Sequence, residues 1–388
     1  MCKFICVIKK KVVILRKNCT VMKTRSIILV IMSVLCAVVF TGCKRAHGGT
    51  KVSATGTIYE CLVVMPNRPL ANPQQVVSAS AYVGNIATTY DLVKATMAAD
   101  MPCLPQMEPY FKLMQVAPAA FDDLLKPTRN ILIVDIDAER YTQTKAKYSL
   151  DYWSHPQAVY RIQAPNDDAF VAWWNEYGEQ VRSWFVDQEI RRQIAFYRAS
   201  TNKEARAALQ RSIHANMLIP EDYMLIRDTI FDNIHFIWCC NNKGPMRRDL
   251  VIYSYPYKDA KQFDLNELNK KRDEVLGKMI SASVPGSYMG TEYKVFPPQS
   301  RVLQDNPYTV EVRGLWKIYK GEAMGGPYVS HACLDEINQR IVTAEAYILA
   351  PGQKKRNELR KAEAILFTLQ LEQQINELKE VSVEQPRK

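Results

Sequence analysis

Two acidic side chains at the end of an apolar stretch are the first residues in this sequence that could do chemistry. Asp135 and Asp137 close the segment RNILIVDID at residues 129–137. Residues two apart on a strand point to the same side of a sheet, so the pair could bind a divalent cation or act as a general acid and base. On this interpretation they are the catalytic candidates of a hydrolase. The alternative is that they only solvate the strand end or cap the following turn.

Other catalytic or metal-binding patterns are missing from the sequence. The chain has five histidines, and none has a histidine or acidic partner at a ligand spacing such as four residues along a helix. The segment PGSYMG at residues 285–290 lacks the Gly-x-Ser-x-Gly order of a hydrolase nucleophile. The sequence therefore predicts no metal site and no cofactor, and it favours a non-catalytic protein.

A candidate binding surface lies in the last third of the chain. Gly325 and Gly326 permit backbone conformations and close approaches that other residues forbid. Trp316 and Tyr328 could wall a groove beside them for a peptide or a glycan, and Arg313 begins the same aromatic segment. The alternative is a tight turn that is packed by aromatic rings.

The stretch CAVVFTGCKRAHGGTK at residues 36–51 points to a different chemistry, that of a lipid anchor. It resembles the lipobox of bacterial lipoproteins, in which a small residue must precede the cysteine. Thr41 and Gly42 match this pattern, whereas Phe40 departs from the usual Leu, Val or Ile. The resemblance implies that Cys43 becomes the first mature residue and carries fatty acyl chains, such as palmitate, on its sulfur and amino group. Several acyl chains make release from a bilayer negligible.

The residues before Cys43 have the order of a secretory signal. A short basic segment at 22–25 precedes a 15-residue uncharged run at 26–40. Because a membrane-spanning helix needs about 20 apolar residues, we expect residues 1–42 to be a signal peptide; a permanent helix and a plain secretory signal with a spare cysteine are the alternatives. Residues 1–21 make an unusually long leader, so Met22 is the better start and 1–21 are an expected gene-start artefact.

The signal also changes the charge argument. The full chain has 51 Lys and Arg against 40 Asp and Glu, a net charge of +11. Residues 1–42 hold eight of the basic residues and no acid, so the remainder has 43 basic residues against 40 acidic ones, a net charge of +3. Nucleic-acid binding needs clustered cations, and we therefore expect no nucleic-acid partner.

The cysteines beyond Cys43 give no redox or zinc pattern. Their number is odd and no pair is separated by two residues. Free cysteines are among the most buried residue types, so we expect most of them to be buried. They are Cys61, Cys103, Cys239, Cys240 and Cys333.

The candidates lie on an α+β framework. Residues 43–55 form a polar, glycine-rich tether, and 56–200 a first unit of sheet plus helices. Strands are predicted at 57–65, 110–116, 129–137 and 157–164, with helices at 75–99 and 119–125 and a long helix at 166–198. The long helix carries a core stripe of Phe170, Trp174, Tyr177, Val181 and Trp184.

A polar stretch at 198–208 marks the start of a second unit at 201–380. A short helix ends near Met217, and strands are predicted at 223–229, 233–240, 247–255 and 308–320, with a hairpin at 327–349 that turns at 335–338. Asp264 and Glu267 have capping-box spacing for a helix that ends at Met279, and an amphipathic helix is predicted at 354–380. Residues 381–388 form a loose tail. Partly repeated patterns suggest an internal duplication.

Several motifs along the chain resemble an uncharacterised lipoprotein family of the Bacteroidota, known only as a domain of unknown function. They are CLPQMEPYF at 103–111, YSYPYKD at 253–259, RGLWK at 313–317, MGGPYVS at 324–330 and YILAPGQKKRNELRKAEAILFTL at 347–369. The resemblance implies an envelope lipoprotein of about this length. It implies no activity and no functional residue other than Cys43.

These observations predict an exported, lipid-anchored envelope protein of unknown molecular activity. Lys44, Arg45 and His47 follow the cysteine where surface-exposed relatives carry acidic residues, so we expect the protein on the periplasmic side of the outer membrane. The favoured function is non-catalytic binding or envelope maintenance, with an envelope protein, peptide or glycan as partner. The alternative is a periplasmic hydrolase that uses carboxylates.

Overall fold

The computed structural model describes residues 51–71, 86–305 and 307–375. Both sheets and helices occur throughout this part, which confirms the predicted α+β class. The predicted signal peptide at 1–42, Cys43, most of the tether and the tail at 381–388 lie outside the described residues. None of the described helices is long and apolar enough to cross a membrane.

The elements of the first half are, in chain order, β1 (Val52–Ser53), β2 (Glu60–Val64), α1 (Thr89–Met97), β3 (Lys112–Val116), β4 (Asn130–Ile136), β5 (Lys145–Leu150), β6 (Ser154–His155), β7 (Ala158–Ala164) and α2 (Asp167–Arg198). Five of the strands form a sheet in the order β3-β2-β4-β7-β5. The first four strands in that order pair in parallel, and β5 runs antiparallel to β7. The short strands β1 and β6 pair separately.

The sequence predicted all four parallel strands. The two central ones, β2 and β4, are covered on both faces, which explains why their residues are almost all apolar. On one face Val63 and Leu132 pack against α1 and α2. On the other face Leu62 and Ile131 pack under the segment that contains Phe121. The expected helix at 119–125 is a single 3₁₀ turn at Pro118–Ala120, and the first part of the helix expected at 75–99 lies outside the described residues.

The long helix α2 forms as the sequence predicts, but its buried stripe differs from the expected one. The side chain of Asn166 caps it by accepting from the backbone N–H of Ala169 at 2.9 Å. Phe170, Trp174 and Val181 are buried, whereas Tyr177 and Trp184 are half-buried. Gly178 and Phe185 take their places in the core, because the regular helix turns those positions toward the sheet.

The elements of the second half are, in chain order, α3 (Lys203–Ile213), β8 (Met224–Phe231), β9 (Ile234–Asn241), β10 (Arg247–Pro256), α4 (Leu265–Met279), β11 (Tyr288–Glu292), β12 (Gln299–Asp305), β13 (Tyr308–Tyr319), β14 (Gly325–Asp335), β15 (Arg340–Leu349) and α5 (Arg356–Leu366). The strands form an eight-stranded antiparallel sheet in the order β11-β13-β14-β15-β10-β9-β8, with β12 also paired to β13. In the two halves together, the strands β1, β5, β6, β11 and β12 were not predicted.

Each face of this large sheet packs against different helices. Val329, Ala346 and Ile348 lie on the face that contacts α3 and α5. Trp316, Tyr328 and Tyr347 lie on the opposite face, together with α4. Because side chains alternate along a strand, neighbouring residues of β13, β14 and β15 serve two separate cores.

Two details of the predicted helices are wrong. Asp264 stands at the N-cap of α4 but its side chain makes no cap hydrogen bond; the capping box belongs to Asp259 and Gln262, one turn earlier. The helix expected at 354–380 stops at Leu366, since the backbone of Gln370 pairs with that of Asn216 at 2.8–2.9 Å instead of continuing the helix.

The two sheets have different topologies, one largely parallel and one antiparallel, so this architecture does not show an internal duplication. Helix α5 contacts both halves: Ala364 joins the core of the first sheet, and Leu359, Ala362 and Ile365 join the core of the second. The division into two domains near residue 200 stays a prediction.

Candidate anion-binding pocket

Strand β13 places the residues of the candidate binding surface on two faces of the large sheet. Arg313 points toward α5, opposite Val329 in the register, and lines a pocket there. Trp316 and Tyr328 are buried on the α4 face. Gly325 and Gly326 pair with Lys317 and Trp316 inside the sheet, not in a turn. The structure therefore does not bring these five residues together into one groove.

The pocket at Arg313 has a volume of about 190 Å³ and lies between α2, β12, β13 and α5. Its floor is formed by buried Glu311, Arg313, Arg360 and Glu363. Its rim carries the exposed residues Ser183, Asp187, Gln299, Ser300 and Arg301. Charged side chains thus make the floor of a site that is open at the surface.

Glu311 is held by two arginines. The Nε of Arg313 donates to its Oε1 at 2.7 Å and the Nη2 to its Oε2 at 3.0 Å. Arg301, whose side chain is 61% exposed, donates to the same two oxygens at 2.8 and 3.3 Å. His331 lies behind Glu311, with its Nε2 at 3.5 Å from the Oε2. Alternation along β13 puts Glu311 and Arg313 on the same face.

Helix α5 supplies the other half of the floor. Arg313 Nη2 also donates to Glu363 Oε1, and Arg360 Nη1 donates to Glu363 Oε2 at 2.8 Å. Arg360 and Glu363 are three residues apart, so both project from one side of the helix. Each of the two buried carboxylates is therefore shared between two guanidinium groups.

An aromatic ring forms one wall. The guanidinium carbon of Arg182 lies 4.2 Å from the ring centroid of Tyr110, and that of Arg360 lies 5.4 Å from it. Both distances are within the range of cation–π attraction. Arg182 also pairs with Glu179 at the surface and donates to the backbone oxygen of Thr96 at 3.1 Å.

One donor in the floor is unpaired. The Nη1 of Arg313 is buried, and no described residue accepts a hydrogen bond from it, although the Nε and Nη2 of the same guanidinium are fully engaged. Leaving a buried charged donor without a partner costs about 1–3 kcal/mol or more. The structure thus holds a positive donor beside a cavity that a ligand oxyanion could enter.

The Glu311 carboxylate in the floor is a poor candidate for acid–base chemistry. Burial alone would raise the pKa of Glu311, but the guanidinium of Arg313, which hydrogen-bonds to it, and the neighbouring His331 hold that pKa well below its ordinary value. Burial likewise lowers the pKa of Arg313, and the carboxylates of Glu363 and Glu311 outweigh it and raise that pKa. Because a general acid or base works best with a pKa near the operating pH, this arrangement favours electrostatic binding over proton transfer.

Asp135 and Asp137 lie elsewhere, at the end of β4. Asp135 Oδ2 accepts from the hydroxyl of Tyr141 at 2.6 Å and from Arg140 at 3.3 Å. Asp137 Oδ1 accepts from the backbone N–H groups of Glu139 and Arg140 at 2.9 and 3.1 Å, which is the geometry of a capped turn. The structure brings the two acids together around Arg140, whose Nη1 lies 3.3 Å from Asp135 Oδ2 and 4.0 Å from Asp137 Oδ2. Their catalytic role stays a prediction.

No cluster of three or more His, Cys, Asp or Glu residues in the described ranges is arranged to hold a metal ion. The sequence did not predict Glu311 and Glu363 as partners of Arg313, or Arg360 as the second arginine that binds Glu363. Glu311 and Arg313 alternate with the apolar residues Val310 and Val312 on a buried strand. That pattern of charges on a strand between valines was the available signal.

Two family models match the chain, each over less than half of its length. Residues 54–198 match a family described as Domain of unknown function (DUF8532), and residues 201–368 match one described as Domain of unknown function (DUF4837). No curated protein matches the chain. The chain is thus similar to domains of unknown function, and these similarities bring no activity and no site residue to it.

Proposed function

We propose that this chain is a lipid-anchored envelope protein that binds an anionic ligand in the Arg313 pocket and catalyses no reaction. The observation that carries the binding proposal is the unpaired Arg313 Nη1 at the floor of a pocket lined by four arginines, Arg182, Arg301, Arg313 and Arg360. Arginine suits this role because it remains charged when buried and presents several donors in a fixed plane.

The ligand carries a small oxyanion group, a carboxylate or a phosphate. Such a group accepts a hydrogen bond from Arg313 Nη1. Because both groups are charged, this hydrogen bond is stronger than one between neutral groups. Tyr110 and the apolar side chains of Val186 and Ile190 offer contacts for the uncharged part of the ligand. The shared carboxylates Glu311 and Glu363 hold the guanidinium groups in place in the absence of ligand.

Isothermal titration calorimetry of the purified protein tests the binding proposal. The probes are acetate, succinate and inorganic phosphate, with acetamide as the neutral match of acetate. We expect at least one anion to bind, to bind more weakly as salt rises, and acetamide not to bind. An absence of binding by every anion at low salt would refute the proposal.

Three variants locate the site. Arg313→Lys keeps the charge but removes Nη1, so we expect an affinity loss of about tenfold or more, the effect of one charge-assisted hydrogen bond. Ser183→Trp narrows the pocket at its exposed rim without touching the buried floor, so it tests the site even if the Arg313 variant folds poorly. Arg211→Gln removes an equally positive, exposed residue outside the pocket and should leave binding unchanged.

The envelope location rests on the sequence around Cys43. The signal-like run, the small residues before the cysteine and the resemblance to Bacteroidota lipoproteins support a lipid anchor, and the basic residues after it support the periplasmic side of the outer membrane. We expect the natural N-terminus to carry fatty acyl chains in mass spectrometry, and Cys43→Ser to release the protein from the membrane fraction. A Cys43→Ser protein that still fractionates with membranes would contradict the anchor, and removal of the protein from intact cells by protease would contradict its orientation.

A further inference from the structure

A second pocket lies on the other face of β13, away from the four arginines of the Arg313 pocket. It has a volume of about 110 Å³. Its walls include the rings of Trp238, Trp316 and Tyr347 and the aliphatic side chains of Ile280 and Met289. Ser281 stands exposed among its lining residues, at the opening. This aromatic pocket shares no lining residue with the Arg313 pocket.

The polar groups of its rings are paired, except one. Trp238 Nε1 donates to Asp249 Oδ1 at 2.8 Å, and Trp316 Nε1 donates to the backbone oxygen of Ile348 at 3.3 Å. The side chain of Tyr347 is 3% exposed, yet no described residue is a hydrogen-bond partner of its hydroxyl. Buried tyrosine hydroxyls ordinarily have a partner.

The charges at the rim are neutralised within the protein. Arg247 donates from Nε to Asp249 Oδ2 at 2.8 Å and from Nη2 to Oδ1 at 2.9 Å. Its guanidinium carbon also lies 5.5 Å from the ring centroid of Trp238. A charged ligand would therefore gain little from this pair and would lose its hydration in an apolar pocket. Burial raises the pKa of Tyr347 well above its ordinary value, which keeps the hydroxyl protonated and able to donate.

We propose that the aromatic pocket binds a neutral, single-ring ligand, or the ring end of a longer one, that carries one oxygen acceptor for the Tyr347 hydroxyl. The size limits the ligand to a single ring at most, because apolar cavities that bind benzene have a volume of about 150 Å³ and this pocket has about 110 Å³. We expect the ring of the ligand to pack against Trp316. The ring centroids of Trp316 and Tyr347 lie 5.4 Å apart in an edge-to-face arrangement. The site is independent of the anionic ligand proposed above.

Ligand-observed NMR and calorimetry with benzyl alcohol, toluene and benzoate test this proposal on the purified protein. Benzyl alcohol provides ring and oxygen, toluene the ring alone, and benzoate a charged ring. We expect benzyl alcohol to bind most tightly, toluene about five- to tenfold more weakly, as expected for one lost hydrogen bond, and benzoate not to bind in this pocket. Equal affinities for benzyl alcohol and toluene, or no binding of either, would overturn the proposal.

Tyr347→Phe removes the hydroxyl and keeps the ring. We expect it to lower the affinity for benzyl alcohol to that for toluene, to leave toluene binding unchanged and to leave stability unchanged or higher, because no native hydrogen bond is lost. An unchanged affinity for benzyl alcohol would show that the hydroxyl does not contact the ligand. A clear loss of stability would show that the hydroxyl already has a partner in the free protein, which would also count against the proposal.

Two serine variants separate this pocket from the first one. Ser281→Trp fills the opening of the aromatic pocket with an exposed side chain and should abolish benzyl alcohol binding. Ser183→Trp sits at the rim of the Arg313 pocket and should leave benzyl alcohol binding unchanged. The reverse pattern, or loss of binding in both variants, would refute the assignment, whereas failure of anion binding alone would leave this site standing.

Discussion

Arg313 and Trp316 stand three residues apart on β13, and their side chains leave opposite faces of the same sheet. Arg313 lies over α5 in a pocket of charged groups, whereas Trp316 packs against Tyr347 among aromatic rings. Because an odd spacing along a strand reverses the side-chain direction, one strand supplies two chemically different pockets. The large sheet therefore both holds the two cores together and separates the sites.

The contact between Gly326 and the neighbouring strand predicts a strict requirement for glycine. A Cβ at position 326 would lie 2.0 Å from the backbone oxygen of Ile348, and neither backbone can move away inside the sheet. We expect Gly326→Ala to lower the free energy of unfolding by at least about 2 kcal/mol, the range of overpacking in a rigid core. Urea denaturation followed by circular dichroism measures this loss.

Gly277→Ala is the matched control. Gly277 lies in α4, and an added Cβ there would be 3.5 Å from the nearest atom, an ordinary contact. Alanine also restricts the backbone conformations of the unfolded chain at this position. We therefore expect Gly277→Ala to raise the free energy of unfolding by about 0.5–1 kcal/mol. Similar losses in both variants would contradict the explanation by the Ile348 contact.

A buried ion pair on the α4 face predicts strong coupling between two residues. Arg272 donates to Glu345 from Nε at 2.8 Å and from Nη2 at 2.7 Å, and its guanidinium carbon lies 3.9 Å from the ring centroid of Tyr328. Both charged side chains are almost fully buried. We expect Arg272→Met and Glu345→Gln each to lower the free energy of unfolding by about 3–5 kcal/mol, since each leaves a charged or polar group without its partner.

The double variant provides the decisive measurement for this pair. Once one partner is missing, removing the other relieves an uncompensated buried charge. The loss in the free energy of unfolding should therefore be much smaller in the double variant than the sum of the losses in the two single variants. A double-mutant cycle in urea gives the coupling energy. Additive losses would mean that the two residues stabilise the fold independently of each other.

The sequence predicted the fold where local signals and tertiary packing agree. The apolar run at 129–137 became β4, and Asn166 caps α2 at the expected position. The last helix was predicted too long, because the pairing of Gln370 with Asn216 joins residues far apart in the chain and no local pattern encodes it. The exposed strand β5 was missed because half-polar edge strands lack an apolar run.

The candidate site was only partly predictable for the same reason. Arg313 stood out in the sequence, but its partner Glu363 comes from a helix 50 residues later, together with Arg360, which binds the same carboxylate. Which face of a strand meets which helix depends on the register and crossing of distant elements. The glycines at 325 and 326 indicated a close approach, and in the structure the approaching groups are backbone atoms of the neighbouring strands.

The burial of the cysteines predicts slow alkylation. All five cysteines in the described ranges are free and buried, as was predicted for most of them. Burial raises the pKa of the Cys239 and Cys240 thiols to about 12, so little thiolate forms at pH 8. We expect N-ethylmaleimide to leave these two cysteines unmodified in the folded protein and to modify them in urea. Peptide mapping by mass spectrometry checks each site, and modification of Cys240 before unfolding would contradict its burial.

The Glu311 carboxylate in the floor of the Arg313 pocket predicts that part of the free energy of unfolding depends on pH in the acid range. Arg313 and His331 hold the pKa of Glu311 below its unfolded-state value of about 4.3, despite the opposing effect of burial. The stabilisation by the ionised carboxylate is therefore fully present above that value and is lost as the pH falls through the lower folded-state pKa.

Glu311→Gln should accordingly lower the free energy of unfolding by about 3–5 kcal/mol at pH 7, and the difference from the parent protein should shrink below about pH 4. Urea denaturation at pH 7, 5, 4 and 3 measures the difference, with exposed Glu336→Gln as the control that should show almost none. A difference that stays constant down to pH 3 would mean that the Glu311 carboxylate is not stabilised by its arginines.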